Sequence, residues 1–348
     1  MEKHNRDEIE LVLKKKDLDW ETVLKVSTRH YVFPALYCNF KRTDFLKYLP
    51  SDLVEYMKHI TNLNRERNEE IIKQARELNN LLVVNNITPI FLKGTGNLLA
   101  GIYDDIAERM VGDIDFIFSK EDYPKAIAIL RDFGYSELER LEYYNLETNH
   151  YRRLKKENNI AAIEIHKEFL KENYTEEFNY RFVEKDAQIM NNVTVLSYAN
   201  KLNLSIIANQ INDNGFYYKT MSLRSAYDVF LLSKKTNAKD AVNTLNNLTN
   251  PLNCFLAACN EVFNNVDSLE YNNTKKTTSY LNVFNNQFKD RKKTKRRQKR
   301  TKAYLFLKSR LNIICKSIIY KEYRVWLFKR MTDKSWYKEK LIQLGIKK

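Results

Sequence analysis

The chain has 348 residues, 43% of them hydrophobic, and carries 59 Lys and Arg against 44 Asp and Glu, a formal net charge of +15. That is enough apolar material for a core with one or two helical appendages, while seven glycines and five prolines are too few for a fibrous or low-complexity chain. No secretory leader pattern opens it, no run of about 18 apolar residues occurs, and Cys38, Cys254, Cys259 and Cys315 have neither zinc nor disulfide spacing, so a reduced, cytoplasmic protein without a transmembrane segment is expected.

Residues 1–86 read as helices, with apolar side chains recurring at three and four positions. Ser51 or Asp52 can cap one helix after Pro50, and a second amphipathic stretch ends near Asn85 and Asn86. A β-strand is expected from Thr88 to Leu92, running into Lys93-Gly94-Thr95-Gly96 and then the helical pattern NLLAGIY. Four of the seven glycines, Gly94, Gly96, Gly101 and Gly112, fall in this stretch. A strand entering a glycine turn and a helix start makes an anion site, because first-turn N–H groups lack partners and the helix dipole is positive there. A triphosphate is the occupant this favours.

The next strand, GDIDFIF, sets Asp113 and Asp115 on one face and Ile114, Phe116 and Phe118 on the other. Two carboxylates so close repel unless a cation sits between them, and a divalent metal is the simplest such cation. Mg²⁺ at phosphate-handling sites is typically held by one or two carboxylates together with the phosphates themselves. Phosphoryl or nucleotidyl transfer is the chemistry this pattern points to.

Beyond it, KEDYPKAIAILRDFGY reads as a helix with Ala126, Ile127, Ile129 and Leu130 inward and Gly134 closing it. The stretch from Tyr143 to His166, including Tyr144, His150, Tyr151 and Arg153, reads as two antiparallel strands about a turn at Glu157-Asn158-Asn159, which makes the sheet mixed. In its second strand, IAAIEIH, Glu164 and His166 share a face. Glu164 is either a third metal ligand or a solvated edge residue. After Val193 helices return, including one with Leu223, Arg224, Tyr227 and Asp228, one from Asp240 to Asn247 and one from Pro251 to Phe263.

Taken in order, these motifs resemble the NTP_transf_5 type of nucleotidyltransferase, within the DNA polymerase beta-like superfamily. The matching residues are Leu92-Lys93-Gly94-Thr95, Tyr103, Arg109, Asp113 with Asp115, and Glu164-Ile165-His166. An upstream pattern is matched by Trp20, Val23, Leu24, His30, Pro34, Leu36 and Tyr37, and a later one by Leu223, Arg224, Tyr227 and Asp228, so the resemblance spans roughly residues 18–235. Lys167 stands where an aromatic residue is common, and Thr95 where serine or glycine is usual. The resemblance implies an α+β fold: a small mixed β-sheet nucleotidyltransferase core flanked by N-terminal helices and a C-terminal helical region.

It also implies metal ligands and catalytic acids at Asp113, Asp115 and Glu164, with Mg²⁺ or Mn²⁺ as cofactor and a nucleoside triphosphate such as ATP as co-substrate. Lys93, Gly94, Thr95, Arg109 and His166 are the nucleotide-binding candidates. Lys93 could equally be a solvated side chain, and Arg109 could equally pair with Asp104, Asp105 or Glu108. His166 and His150 read as orienting groups, since hard Mg²⁺ prefers oxygen. Arg224 and Asp228, four apart on a helix, can pair with each other.

Charge is concentrated at residues 289–302, which hold ten Lys or Arg and one Asp, a net of +9 that leaves +6 for the other 334 residues. Such a block is either a self-repelling solvated segment or a contact for a polyanion, RNA or an anionic membrane surface. The helices after it are expected to pack in the core. The boundaries expected are 1–86 helical, 87–192 nucleotidyltransferase core, 193–266 helical, 267–302 polar and basic linker, and 303–348 basic amphipathic helices. Three functions fit: transfer of a nucleoside monophosphate to a small, sugar-type acceptor with release of pyrophosphate; the same transfer to RNA or tRNA, as in a toxin; or a catalytically silent nucleotide-binding module.

Overall fold

The computed structural model describes residues 2–138, 149–170 and 174–332. The chain divides into two compact units, one comprising 1–141 with 149–285 and the other 142–148 with 286–348.

In the first unit, helices α1 (Lys3–Lys14), α2 (Trp20–Arg29) and α3 (Phe33–Arg42) precede α4 (Ser51–Val84). Where the sequence suggested two stretches, α4 is one helix of 34 residues, and Pro50 occupies its N-cap in place of Ser51 or Asp52. The polar middle of α4 continues the helix because two of its asparagines face an adjoining loop rather than their own backbone. Asn64 Nδ2 donates to the Ala107 carbonyl at 2.7 Å, and Asn68 Nδ2 donates to those of Ile106 and Arg109 at 2.6 and 2.7 Å. Apolar positions at either end then pack separately. Leu53 and Met57 join Phe33, Tyr37, Phe40 and Phe45, whereas Ile71, Ala75, Leu78 and Leu82 enter the core of the sheet.

That sheet has seven strands in the order β3-β4-β5-β2-β1-β7-β6. They are β1 (Ile90–Phe91), β2 (Asp113–Ile117), β3 (Ser136–Glu137), β4 (Leu154–Lys155), β5 (Ala162–His166), β6 (Gln188–Met190) and β7 (Val193–Val195). β2 runs antiparallel to β1 and parallel to β5, and β1 runs parallel to β7, so the sheet is mixed as expected. β1 is shorter than the strand read from Thr88 to Leu92. Its Phe91, with Phe116 and Phe118, forms an aromatic layer beneath the acidic face, the Phe91 and Phe116 rings meeting edge to face at 5.8 Å.

Between β1 and β2 lies α5 (Lys93–Leu99), and α6 (Tyr123–Asp132) follows β2, burying Ala126, Ile127 and Leu130 while Ile129 is only partly covered. Gly134 closes α6 at a φ of 96°, a conformation that favours glycine. The expected hairpin appears as β4 antiparallel to β5 with β3 beyond it, though Tyr143 and Tyr144 lie outside the described residues. α7 (Tyr180–Glu184) leads to β6, and α8 (Tyr198–Ile207), α9 (Gly215–Tyr218), α10 (Leu223–Ser233), α11 (Ala238–Asn243) and α12 (Thr249–Val262) complete the helical half. The last two begin two residues before the positions read from sequence. The stretch 267–302, read as a linker, is helical from Lys275, where α13 (Lys275–Lys289) begins and buries Tyr280 and Phe284 in the same core.

In the second unit, α14 (Arg291–Ile319) is capped by Asp290, whose carboxylate accepts from the Lys293 N–H at 2.9 Å. α15 (Lys321–Thr332) folds back on it. Arg324 Nη1 donates to the Ser317 and Ile318 carbonyls at 3.2 and 2.9 Å, and Ile313, Ser317 and Tyr323 are buried. Among the described residues no helix is long and apolar enough to cross a membrane.

Candidate functional site

Parallel pairing of β2 with β5 sets Asp113 opposite Ala162, Asp115 opposite Glu164 and Ile117 opposite His166. Because side chains alternate along each strand, one face of the sheet receives Asp113, Asp115, Glu164 and His166. Asp115, Glu164 and His166 are buried, and one ligand atom from each lies within 4.8 Å of the others. Asp113 is more open and stands apart from that trio, its Oδ2 3.4 Å from Arg153 Nη2.

Two cations counter this acidic face. Lys93 Nζ lies 2.7 Å from Asp115 Oδ1 and 3.7 Å from Glu164 Oε2, and Arg153 Nε lies 2.7 Å from Glu164 Oε1. His166 Nε2 sits 2.9 Å from Asp115 Oδ1. Burial alone pushes Asp115 up, but the Lys93 ammonium and the His166 hydrogen bond outweigh it and hold that carboxyl well below the usual carboxylate range. Asp113 goes the other way, raised by burial and by the charges of Glu164 and Asp115 against the pull of Arg153. Burial lowers His166 more than its acidic partner raises it, so the ring is neutral near pH 7 and donates Nε2–H to Asp115.

Lys93 reaches this position through its backbone. Its φ of 50° is left-handed, a conformation that costs a non-glycine residue about 1–2 kcal/mol. The glycines after it answer to packing. A Cβ on Gly96 would stand 2.6 Å from the Phe91 carbonyl oxygen, and one on Gly94 2.9 Å from Val111 Cγ2 and 3.4 Å from the Arg109 guanidinium. Thr95 is fully buried and its hydroxyl donates to the Asp113 carbonyl at 3.0 Å, leaving backbone N–H groups as what the turn itself can present.

Arg109 pairs neither with Asp104, Asp105 nor Glu108. Asp105 already holds Arg65 at 2.8 Å, and Glu108 is taken by Arg42 and Tyr227. The buried Arg109 Nε instead lies 3.1 Å from both carboxylate oxygens of Asp228, which also accepts from Tyr103 OH at 2.8 Å. The Arg224–Asp228 pair read from spacing is thereby replaced, since Asp228 points into the core. Arg224 stacks its guanidinium 5.0 Å over the Tyr31 ring, and its Nε is buried without a hydrogen-bond partner. His30 Nδ1 accepts from the Leu223 N–H at 3.3 Å, fixing the start of the helix that carries Arg224.

Sequence reasoning gave Arg153 no role, yet a signal existed. Extending the Leu154–Ile163 register by one residue sets Arg153 opposite Glu164, and a hairpin turning at Asn158-Asn159 requires that register.

A family model, NTP_transf_5, described as an uncharacterised nucleotidyltransferase, matches residues 16–263. The chain belongs to that family. The nucleotidyltransferase match takes in every site residue described above and ends before α13. Two solved structures from Helicobacter pylori are similar to this chain. One is named as a candidate nucleotidyltransferase (13% identity, TM-score 0.32, 64% of this chain and 91% of that one), and the other is JHP933 (12%, 0.31, 69% and 97%). No functionally curated protein matches this chain.

Proposed function

We propose that this nucleotidyltransferase moves a nucleoside monophosphate from a triphosphate to a small, sugar-type acceptor with a divalent ion at the acidic face. The observation that carries this reading is the direct opposition of Asp115 and Glu164 on adjacent parallel strands, with His166 within 4.8 Å of both. Two carboxylates suit Mg²⁺ or Mn²⁺, His166 orients Asp115 through its Nε2–H, and the more open Asp113 lies on the same face of the sheet. Bound there, the ion would supply Lewis-acid stabilisation of the charge that develops on the α-phosphate.

The chain's own residues do the rest by position and charge. Lys93 brings its ammonium to the acid pair at the end of β1, where a triphosphate entering from the glycine turn would meet it. Arg224, whose guanidinium stacks on Tyr31, is assigned as a second positive group for phosphate oxygens. Arg153 fixes Glu164 and Asp113, and Arg109 acts behind the turn as a positioning residue.

Incubation with each α-labelled triphosphate, Mg²⁺ or Mn²⁺ and a cell extract tests the proposal. The protein is expected to label an acceptor, and Asp113→Asn and Glu164→Gln are expected to abolish labelling while their folds persist. Undiminished labelling by Asp113→Asn refutes the assignment, and no labelling with any nucleotide leaves a silent binding module. An RNA acceptor is the second reading, favoured by the +9 block at 289–302, and labelled RNA in the extract would select it.

A further inference from the structure

The family match ends at residue 263, and the most unusual surface lies beyond it. Residues 286–348 hold 22 of the chain's 59 Lys and Arg and only 4 of its 44 Asp and Glu. They therefore carry +18, and residues 1–285 carry −3. The whole positive excess belongs to this one segment.

Within it, α14 has two successive halves along a single face. Lys293, Arg296 and Arg300 are exposed in the first half, and Leu307, Leu311, Ile314 and Ile318 continue the same line at spacings of four, three and four. Those four aliphatic side chains are 60, 62, 49 and 74% exposed, with Tyr304 opening the row at 53%. From Tyr304 to Ile318 the row runs about 20 Å at 1.5 Å per residue. α15 meets α14 at Lys316, Ser317 and the Ile318 carbonyl, and the four aliphatic side chains stay exposed beside it. Lys308 and Arg310 flank the row on its two sides.

We propose that α14 lies on an anionic lipid surface, its aliphatic row dipping below the headgroups and its basic half lying over them. Each part of the helix argues for this occupant over the others. RNA would engage the basic half but gives four exposed Leu and Ile side chains nothing to contact, whereas acyl chains cover them. A second copy of α14 would bring Lys308 and Arg310 against the same residues of its twin, beside two blocks of like charge. Hydrocarbon accepts the row, and phosphate headgroups accept the lysines and arginines that border it.

The test uses the full chain with vesicles of phosphatidylcholine alone or mixed with phosphatidylglycerol, and with single-stranded RNA as the competing ligand. Co-sedimentation is expected with the anionic vesicles and not with the neutral ones. Leu311→Glu/Ile314→Glu, placed on the exposed face, is expected to weaken vesicle binding roughly tenfold or more, with any RNA binding and the thermal unfolding curve unchanged. Lys293→Glu/Arg296→Glu/Arg300→Glu is expected to weaken it also. Cys315, the exposed cysteine of the four, gives an independent readout without altering the row. An environment-sensitive dye attached there should shift to the blue on adding anionic vesicles. The proposal is overturned if that emission does not move, if Leu311→Glu/Ile314→Glu binds vesicles as the parent does, or if RNA is bound while vesicles are not. Vesicle-independent dimerisation that Leu311→Glu/Ile314→Glu abolishes would assign the row to a second copy instead.

Discussion

Lys93 holds a left-handed backbone so that its ammonium can sit against Asp115 and Glu164, where a metal ion would compete with it for the same oxygens. Lys93→Met should therefore tighten Mn²⁺ binding, by roughly tenfold in a calorimetric titration, while slowing nucleotidyl transfer. Equal metal affinity in the two proteins would show that the lysine does not share those oxygens. A second lysine gives a prediction about stability. Lys201 is buried, its ammonium donates to the Leu196 carbonyl, and burial lowers its pKa from 10.5 to about 7. Below that value both folded and unfolded chains carry the proton, so folding bears the full cost of the buried charge. As pH rises towards 10.5 the folded chain releases the proton and the unfolded chain keeps it, so this residue makes the protein more stable across that window. Lys201→Met should stabilise by on the order of 2–4 kcal/mol at pH 7, with the gain shrinking towards pH 10, as read by denaturant unfolding at both values. At this scale the sequence was informative about residue types and less so about partners. Alternation alone set Asp113 and Asp115 on one face, but it could not tell that Asp115 would be buried and paired while Asp113 stayed open, because that depends on Lys93 arriving from the start of α5 and His166 from β5.

Between elements, the buried contact of Arg109 with Asp228 ties the loop before β2 to α10. Asp228→Ala leaves a guanidinium in the core without its counter-charge and should cost about 3–5 kcal/mol. Arg109→Met/Asp228→Leu, which removes both charges, should recover most of that loss in the same unfolding assay. If it does not, the pair contributes more than mutual neutralisation. Gly96 illustrates a second kind of inter-element constraint. Because its α-carbon stands where a methyl would meet the Phe91 carbonyl at 2.6 Å, Gly96→Ala should lower stability by about 1–3 kcal/mol and displace α5 from β1. The glycine cluster was visible in sequence as a turn for phosphate, and its packing role was not, since close approach of a helix to its own preceding strand leaves no trace in composition. Most helices before Phe263 and the strands β1, β2, β4 and β5 were legible from periodicity, whereas α7, β3, β6 and β7 were not, and α13 fell in a stretch read as linker. The Arg109–Asp228 pairing was not, because 119 residues separate its members and each had plausible nearer partners.

Across the whole molecule, charge and fold are partitioned differently from what a net +15 suggests, since residues 1–285 carry −3 and the remainder +18. Retention on a cation-exchange matrix should accordingly depend on α14. Lys293→Glu/Arg296→Glu/Arg300→Glu should elute at much lower salt than the parent, and an equal reversal spread over the exposed Lys58, Lys73 and Lys235 should shift it less. Local charge was plain from the sequence; that the charged stretch would be a continuous helix was not, because like-charge repulsion argues for a solvated segment and Asp290 supplies a cap that only the structure reveals. One feature of α4 bears on the first unit in a different way. Asn64 and Asn68 grip the carbonyls of Ala107, Ile106 and Arg109 from the middle of a helix about nine turns long. The loop that leads into the acidic strand is thus expected to open only together with the helix. In deuterium labelling its amides should exchange in step with those at the centre of α4, as one cooperative unit, so isotope uptake there reports how intact the long helix is.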